Sequence, residues 1–197
     1  MPILSLSRRS SLLLPVLLAA CGDKPRRTDF PRFNYDFYTK FQLNVRTVDI
    51  ETRFVPAKDK YDVAYLSPAD PIAAVRQIGE DRVKALGNTN RAVFAVVDAT
   101  LTQRGDVVRG ALEATLELYS DANVSQGYVQ ARAERKHTGD VDDLRGTLYD
   151  MVATMKDDLN LELEHQIRSK MKSWLIEGVN ATPEKVDSAP LTAPGRR

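Results

Sequence analysis

The segment Asp140-Val141-Asp142-Asp143 is a compact group of side chains that could bind a metal ion. A calcium loop of the EF-hand type needs an oxygen ligand at its fifth position, glycine at its sixth and glutamate at its twelfth. In this chain those positions hold Leu144, Arg145 and Met151. The aspartates fit the start of a helix instead, because carboxylates complement the helix dipole there. We therefore expect no calcium site at this segment.

Both histidines of the chain have neighbours that raise the question of metal binding. Glu162 and His165 have the Glu-x-x-His spacing of di-iron helical bundles, but such a site needs a second copy on a facing helix, and the sequence has none. His137 lies beside Arg135 and Lys136, with no cysteine or carboxylate cluster to complete a zinc site. We expect no metal and no other cofactor.

Nucleophilic and phosphate chemistry have no recognisable motif either. No serine lies in a Gly-x-Ser-x-Gly turn, and no glycine-rich phosphate-binding loop is present. The carboxylates fall mainly on helix ends and on strand positions predicted to face solvent, where most only solvate the surface. The sequence thus predicts a protein that is not an enzyme, and catalysis ranks third, after an accessory role and the binding of a small ligand.

The only cysteine, Cys21, ends a segment with the three parts of an export signal. Arg8-Arg9 form a positive start, residues 12–18 are an apolar stretch too short to span a bilayer, and Ala19-Ala20 are small residues suited to cleavage. The arginines also fit a weak twin-arginine signal, which leaves the export route open.

The segment Leu18-Ala19-Ala20-Cys21 resembles the lipobox of bacterial lipoproteins, whose cysteine is acylated and becomes the first residue of the mature protein. The resemblance implies that Cys21 carries the lipid, including palmitate, that anchors the chain to a membrane. In the lipoprotein sorting pattern, aspartate directly after the cysteine retains the protein in the inner membrane. Because Gly22 stands there, with Asp23 one residue later, the resemblance implies the outer membrane, facing the periplasm. An ordinary secretory signal with a chance cysteine is the alternative.

Charge and hydropathy restrict the partners of the mature chain. The sequence has 28 basic and 27 acidic side chains, and removal of residues 1–20 takes two arginines away, which leaves a net charge of −1. This balance predicts no binding to nucleic acid. After the signal there is no second apolar run long enough to span a bilayer.

The chain divides into four parts by composition. We expect a signal peptide over residues 1–20, a lipidated tether over 21–33, one folded domain over 34–176 and a disordered tail over 177–197.

Apolar periodicity within the domain predicts the element order β-α-β-β-β-α. The expected elements are a first strand over residues 41–54 with a bulge near Arg46-Thr47, a first helix ended by Gly87, strands over 91–101, 108–118 and up to about His137, and a last helix that runs to about Ile176. Ser67 is the expected N-cap of the first helix, with Pro68 at its first position and Asp70 at its third. Asp140 is the expected cap of the last helix, with Asp143 three residues on. Two helices can cover one face of a four-stranded mixed sheet, so we expect a two-layer α+β sandwich.

This element order after a lipidated N-terminus resembles two groups of envelope lipoproteins over residues of about 41–176. One group is the lipopolysaccharide-assembly lipoprotein that plugs an outer-membrane barrel, and the other is the auxiliary lipoprotein of ABC-type transport systems. The resemblance implies a membrane-anchored, non-enzymatic accessory lipoprotein of cell-envelope assembly or lipid transport, with an envelope protein as partner. The alternative is a periplasmic lipoprotein that binds a small lipid or peptide.

The sheet face away from the helices is the predicted partner-binding surface. A four-residue turn over 103–106 would place Phe94 and Val96 on that face, and a four-residue second turn would place Thr115 opposite Gln130, with Tyr128 beside them. Apolar groups next to a polar lattice are typical of non-obligate interfaces. The alternative is a face open to water.

Six aromatic residues between positions 30 and 41 have two interpretations. They form a docking patch or a membrane-interface contact, or they cover the edge of the core. Under the second interpretation they could also shield Phe94 and Val96.

Overall fold

A computed structural model describes residues 26–35 and 37–176 of the chain. Their elements are β1 (Phe41–Leu43), β2 (Thr47–Thr52), α1 (Pro71–Arg82), β3 (Val83–Ala85), β4 (Arg91–Arg104), β5 (Val107–Tyr119), β6 (Ser125–Thr138) and α2 (Leu144–Lys170). Single 3-10 turns lie at Ala64–Leu66 and Lys172–Trp174. The predicted signal peptide, Cys21 and residues 177–197 lie outside the described residues.

Four strands form the main sheet in the order β2-β4-β5-β6. β2 runs parallel to β4, and the other neighbours are antiparallel, so the sheet is mixed as predicted. Both helices pack on one face, α1 against β4 and α2 against β5 and β6. Gly110 of β5 lets α2 approach closely, because a Cβ there would come 2.6 Å from the Met155 Cε atom. The predicted α+β class is confirmed.

The prediction of one long first strand over residues 41–54 is wrong. The chain leaves one sheet after Leu43 and enters another at Thr47, so that β1 pairs with β3 and β2 pairs with β4, both in parallel. Phe41, Leu43 and Val45 are buried on the helix side. The slip in the apolar pattern that suggested a bulge therefore marks a change of sheet.

α1 begins three residues later than the predicted cap implies and ends before Gly87. Asp70 is the N-cap, and its Oδ1 atom accepts a hydrogen bond from the Ile72 N–H at 2.9 Å. The helix ends at Arg82 because the next three residues form β3 and pair with β1. Gly87 has a packing role instead, since a Cβ there would lie 2.6 Å from the carbonyl carbon of Asn44.

α2 supplies much of the core. Asp143 caps it by accepting a hydrogen bond from the Gly146 N–H at 3.1 Å. The predicted stripe is buried at Leu148, Val152, Met155, Leu159, Leu163 and Ile167. The helix ends at Lys170, earlier than predicted, and the chain then returns so that Leu175 forms an isolated bridge with Leu43. Among the described residues no helix is both long enough and apolar enough to cross a bilayer.

The second hairpin has the predicted register. Glu113 pairs with Arg132, and Thr115 pairs with Gln130. The first hairpin is tighter than predicted, because Arg104 pairs with Val107 and only two residues form the turn. Gly105 suits that turn, since its φ is +58°.

A β-bulge at Val97 inverts the predicted faces of the first half of β4. Val96 pairs with Ala114, but Asp98 pairs with Glu113, so one residue of β4 has no counterpart. Phe94 and Val96 therefore point toward the helices and are fully buried. Their predicted place on the outer face is wrong, because that prediction counted back from the turn between β4 and β5 without a bulge. One extra residue in a strand moves every side chain on its far side to the opposite face.

The aromatic segment lies over the helices and away from the outer face of the sheet. The Tyr35 hydroxyl donates to the Ala74 carbonyl at 2.7 Å, and the rings of Phe30 and Phe33 lie 5.3 and 5.4 Å from the ring of Tyr149. The interpretation as a cover of the core is confirmed, with Phe37 as an exposed exception. Because the segment is on the helix side, it does not shield the outer face.

Candidate functional site

The outer face of the main sheet, formed by the side chains that point away from the helices, holds three of the five predicted partner-binding residues. Thr115 and Gln130 are cross-strand neighbours, and the Tyr128 hydroxyl donates to Gln130 Oε1 at 2.9 Å. Phe94 and Val96 lie on the opposite side. The predicted surface thus keeps its polar part and loses its two apolar members.

A cluster of hydrogen-bonded side chains surrounds Glu117 of β5 on this face. Arg53, which follows β2, binds both oxygens of Glu117, with Nη1–Oε1 and Nη2–Oε2 distances of 2.5 and 3.1 Å. The Tyr119 hydroxyl donates to Glu117 Oε2 at 2.6 Å. The hydrogen bonds from Arg53 lower the pKa of Glu117 below its usual range, and the same contact raises the pKa of Arg53. Both groups are therefore charged at neutral pH.

A second cluster surrounds Arg132 of β6. Its Nη1 atom donates to Asp98 Oδ2 at 3.1 Å and also to Glu113, and its Nε atom donates to Glu134 Oε1 at 2.7 Å. Gln130 Nε2 donates to the other oxygen of Glu113 at 2.5 Å. Hydrogen bonds to Glu134 and Glu113 raise the pKa of Arg132. These bonds hold the charges of Arg132, Asp98 and Glu113 in place.

Small and apolar side chains lie beneath these clusters. Val93 and Ala95 have exposed fractions of 1% and 0%, and Thr115 has 4%. The Thr115 hydroxyl oxygen is buried and makes no hydrogen bond of regular geometry in the part of the chain that the structure describes, but it lies close enough to the Glu117 carboxylate to add a small contribution to the lowering of the Glu117 pKa by Arg53. The outer face is covered by its own long polar side chains, so its apolar floor is out of reach for a partner.

Arg82 is a buried charge that sequence reasoning missed. Its side chain is fully buried, donates to the Thr39 carbonyl at 2.9 Å and to Glu164 Oε2 at 2.8 Å, and also binds the Asn160 side chain. Burial raises the pKa of Glu164, but the hydrogen bonds from Arg82 and Arg168 outweigh it and lower that pKa overall. No local signal indicated this burial, because arginine in the last turn of a helix is normally solvated.

Lys156 joins α2 to the aromatic segment. Its Nζ atom lies 2.6 Å from Asp157 Oδ1, and 5.1 and 5.2 Å from the ring centres of Phe33 and Tyr35. Like Arg82, it makes contacts that hold the fold together.

A cavity of about 460 Å³ opens at the edge of the sheet where β2 ends. The loop after β2, the start of α1 and residues 99–102 of β4 surround it. The N–H of Phe54 donates to the Val96 carbonyl at 3.0 Å, and the N–H of Val63 donates to the Leu101 carbonyl at 3.0 Å. The loop thus leaves β4 at the bulge and returns to it five residues further along, which creates the gap. Sequence reasoning missed this cavity as well.

The residues with possible metal chemistry make local structural contacts. His137 Nε2 lies 3.2 Å from the Asp140 carbonyl oxygen, and Glu162 Oε1 accepts from Gln166 Nε2 at 2.5 Å. Within residues 26–35 and 37–176, no three His, Cys, Asp or Glu side chains are grouped so that they could hold a metal ion. Cys21 lies outside the described residues.

Comparison with known proteins finds similarity to solved structures only. No family model matches the chain, and no curated protein matches it. The similar structures are bacterial lipoproteins. A minor lipoprotein from Acinetobacter baumannii is 17% identical with a TM-score of 0.39, over 64% of this chain and 93% of the other. Rare lipoprotein B from Shewanella oneidensis is 12% identical with a TM-score of 0.34, over 65% and 95%.

A third similar structure is a lipoprotein from Neisseria meningitidis, which is 8% identical with a TM-score of 0.27, over 59% of this chain and 95% of the other. Similarity at this level does not identify the function of this chain.

Proposed function

We propose that this protein is a lipid-anchored accessory protein of the bacterial cell envelope that takes part in envelope assembly or lipid transport and is not an enzyme. The observation that carries the proposal is the segment from Arg8 to Cys21, with its positive start, short apolar stretch and lipobox. Acylation of Cys21 would hold the domain at the outer membrane, on the periplasmic side.

The first described residues support a short connection between this lipid and the domain. Arg27 binds Asp150 at 2.7 Å, and its backbone N–H donates to Asp143 Oδ2 at 3.3 Å. Because an extended chain covers at most about 3.5 Å per residue, the start of α2 would lie within roughly 20 Å of Cys21. A domain held so close to the bilayer suits a partner that is itself in the membrane.

The state of the charged side chains supports an accessory role rather than catalysis. Glu113, Glu117, Arg132 and Arg82 are each engaged in two or more hydrogen bonds with neighbouring groups of the fold. General acid–base catalysis needs a group that can exchange a proton with a substrate. These four charges are instead used to fix strands and helices in place.

The anchor is tested with Cys21→Ser. The variant should incorporate no radiolabelled palmitate and should leave the membrane fraction, whereas Ser11→Ala in the same signal should behave like the wild type. Density-gradient separation of the two membranes then tests the outer-membrane location. Wild-type labelling of Cys21→Ser would overturn the lipoprotein proposal, and migration with the inner membrane would overturn the location.

The partner is tested by cross-linking in the intact cell. Photo-crosslinkers at Tyr128 and Gln130 examine the outer face, one at Tyr65 examines the cavity, and one at the exposed Leu161 of α2 serves as control. We expect a component of envelope assembly or lipid transport to be captured at one of the first three positions and not at the control. Docking on the outer face stays a prediction, now carried by Tyr128 and Gln130, because Thr115 is buried beneath the long polar side chains.

A further inference from the structure

We infer that the cavity beside β4 is the site where this protein binds a polypeptide partner, and that the partner supplies a large apolar side chain flanked by basic residues. The inference rests on the proposed accessory function, because it assumes that a partner protein exists. The cavity is the surface that would recognise that partner, through its apolar lining and its carboxylates.

The size and lining of the cavity suit an apolar anchor. Its volume of about 460 Å³ lies in the range of cavities that hold ligands. Apolar groups from three elements line it, namely Phe54 and Pro56 from the loop, Ile72 from α1, and Ala99 and Leu101 from β4. An aromatic or large aliphatic side chain would be removed from water there, as the anchors of protein interfaces are.

The rim of the cavity favours a polypeptide over a small molecule. Tyr65, which lines the cavity, is 79% exposed, and Val55, which lies between two lining residues, is 82% exposed. A small molecule inside the cavity would leave these apolar side chains in water. A polypeptide that inserts one side chain and continues across the rim would cover them as well.

The charge of the lining indicates which residues should flank the anchor. Asp59, Asp62 and Asp70 line the cavity, and no lysine or arginine does. Each uses Oδ1 to accept a backbone N–H, from Tyr61, Ala64 and Ile72 respectively. None forms an ion pair among the residues that the structure describes. Lys58 and Lys60 flank Asp59 in the loop but neither lines the cavity. Three carboxylates outside any ion pair around an apolar cavity complement lysine or arginine beside the anchor.

Tetrapeptides of matched length test this inference. The lipidated full chain in phosphatidylcholine nanodiscs is titrated by calorimetry with acetylated, amidated lysine-tryptophan-leucine-lysine, with glutamate-tryptophan-leucine-glutamate, and with lysine-glycine-serine-lysine. Empty nanodiscs give the blank. We expect the first peptide to bind about tenfold more tightly than either of the others, and its advantage over the acidic peptide to shrink at high salt.

Two variants separate the apolar contribution from the charged one. Ala57→Trp places a large side chain at an exposed lining position and should weaken the first peptide about tenfold. The double variant Asp59→Asn, Asp62→Asn keeps an oxygen for each backbone N–H but removes two charges, so it should weaken the first peptide about three- to tenfold. Ala122→Trp and Asp142→Asn are matched changes at exposed positions elsewhere and should bind like the wild type.

Three results would overturn the inference. Equal affinity for the basic and acidic peptides would contradict the charge argument, and unchanged binding to Ala57→Trp would contradict the location. Binding of 4-phenylbutylamine in an aspartate-dependent way, with no binding of any peptide, would show a small cationic ligand instead. Because these titrations measure binding and the Cys21→Ser experiment measures anchoring, failure of one is distinguishable from failure of the other.

Discussion

The two halves of β4 differ in sequence and in surroundings, since residues 92–96 are all apolar and residues 98–104 alternate polar with apolar side chains over most of their length. Residues 91–96 pair with β2 on one side and β5 on the other, and residues 92–96 are all buried. Residues 98–104 pair with β5 on one side only, and on the other side they meet a loop through Tyr61, Asp62 and Val63. The first half belongs to the core, and the second half borders the cavity.

The bulge at Val97 separates these halves and accounts for the difference. Pairing between β2 and β4 ends at Thr52 and Val96, directly before the bulge. Beyond it the alternation of faces is inverted, so Asp98 joins the Arg132 cluster on the outer face while Ala99 and Leu101 are buried. One extra residue thus buries Phe94 and also frees the strand edge at which the cavity forms.

Val96→Asp should have the largest effect, because it places a carboxylate at a fully buried position directly before the bulge. We expect a loss of stability of about 5 kcal/mol or more, seen as loss of soluble protein or of a cooperative thermal transition by circular dichroism. Val55→Asp, at an exposed position of the loop, should be tolerated. A folded Val96→Asp protein of wild-type stability would show that Val96 points to the outer face.

Phe94→Ala should have the next largest effect, since it tests which face the first half of β4 buries. A fully buried phenylalanine replaced by alanine costs about 3–5 kcal/mol. Phe37→Ala removes the same side chain at a position that is 90% exposed, and it should change the free energy of unfolding by less than about 0.5 kcal/mol. Urea unfolding measures both, and similar midpoints would place Phe94 on the outer face after all.

Glu117→Gln should have a smaller and pH-dependent effect on the outer face. The hydrogen bonds from Arg53 lower the pKa of Glu117 below its ordinary value of 4.5, so the carboxylate stabilises the fold above that pH, and the stabilisation is lost as the pH falls through the lowered pKa. The pair is partly exposed, so we expect less than about 1 kcal/mol.

The measurement for Glu117 is urea unfolding at neutral pH and at several pH values below 4.5. Wild-type stability should fall over the acid range more than that of Glu117→Gln. Glu134→Gln, which removes an exposed carboxylate of the same face, should keep the wild-type pH dependence. Parallel curves for all three proteins would mean that the Arg53 contact does not stabilise the charged form.

Thr115→Val should have the smallest effect. The Thr115 hydroxyl oxygen is buried without a hydrogen bond of regular geometry within the described residues, its contribution to the lowered pKa of Glu117 is small, and valine has nearly the same shape. Replacing an unsatisfied polar group by an apolar one of equal size is neutral or slightly stabilising, so we expect a change of less than about 0.5 kcal/mol in urea unfolding. A loss of more than about 1 kcal/mol would show that the hydroxyl has a partner.

Local patterns were sufficient for much of the fold. Alternation along β5 and β6 is clean, so their pairing, with Thr115 opposite Gln130, was predicted correctly. The 3.6-residue period of α2 predicted its buried stripe, whereas the predicted cap Asp140 is wrong, because Asp143 three residues later is the N-cap. These features depend on residues that are close together in the chain, and the same is true of the lipobox that implies the anchor.

The candidate site was less predictable, because it depends on contacts between distant segments. Residues 92–97 are all apolar, so either face of that strand could have been the buried one, and no local residue marked the bulge. Arg82 is buried by Thr39, Asn160 and Glu164, which are far from it in sequence. The cavity exists only because a loop bridges a gap beside β4.

The sequence by itself determined the compartment that we propose, the order of the two helices and the four strands of the main sheet, and the register of the second hairpin. The tertiary structure decided which side of β4 is buried, where the first strand changes sheet and where an apolar partner could enter. The physical reason is that periodicity reports burial only where apolar and polar positions differ. In a uniformly apolar strand the choice of face is made by the helix and the strands that pack against it.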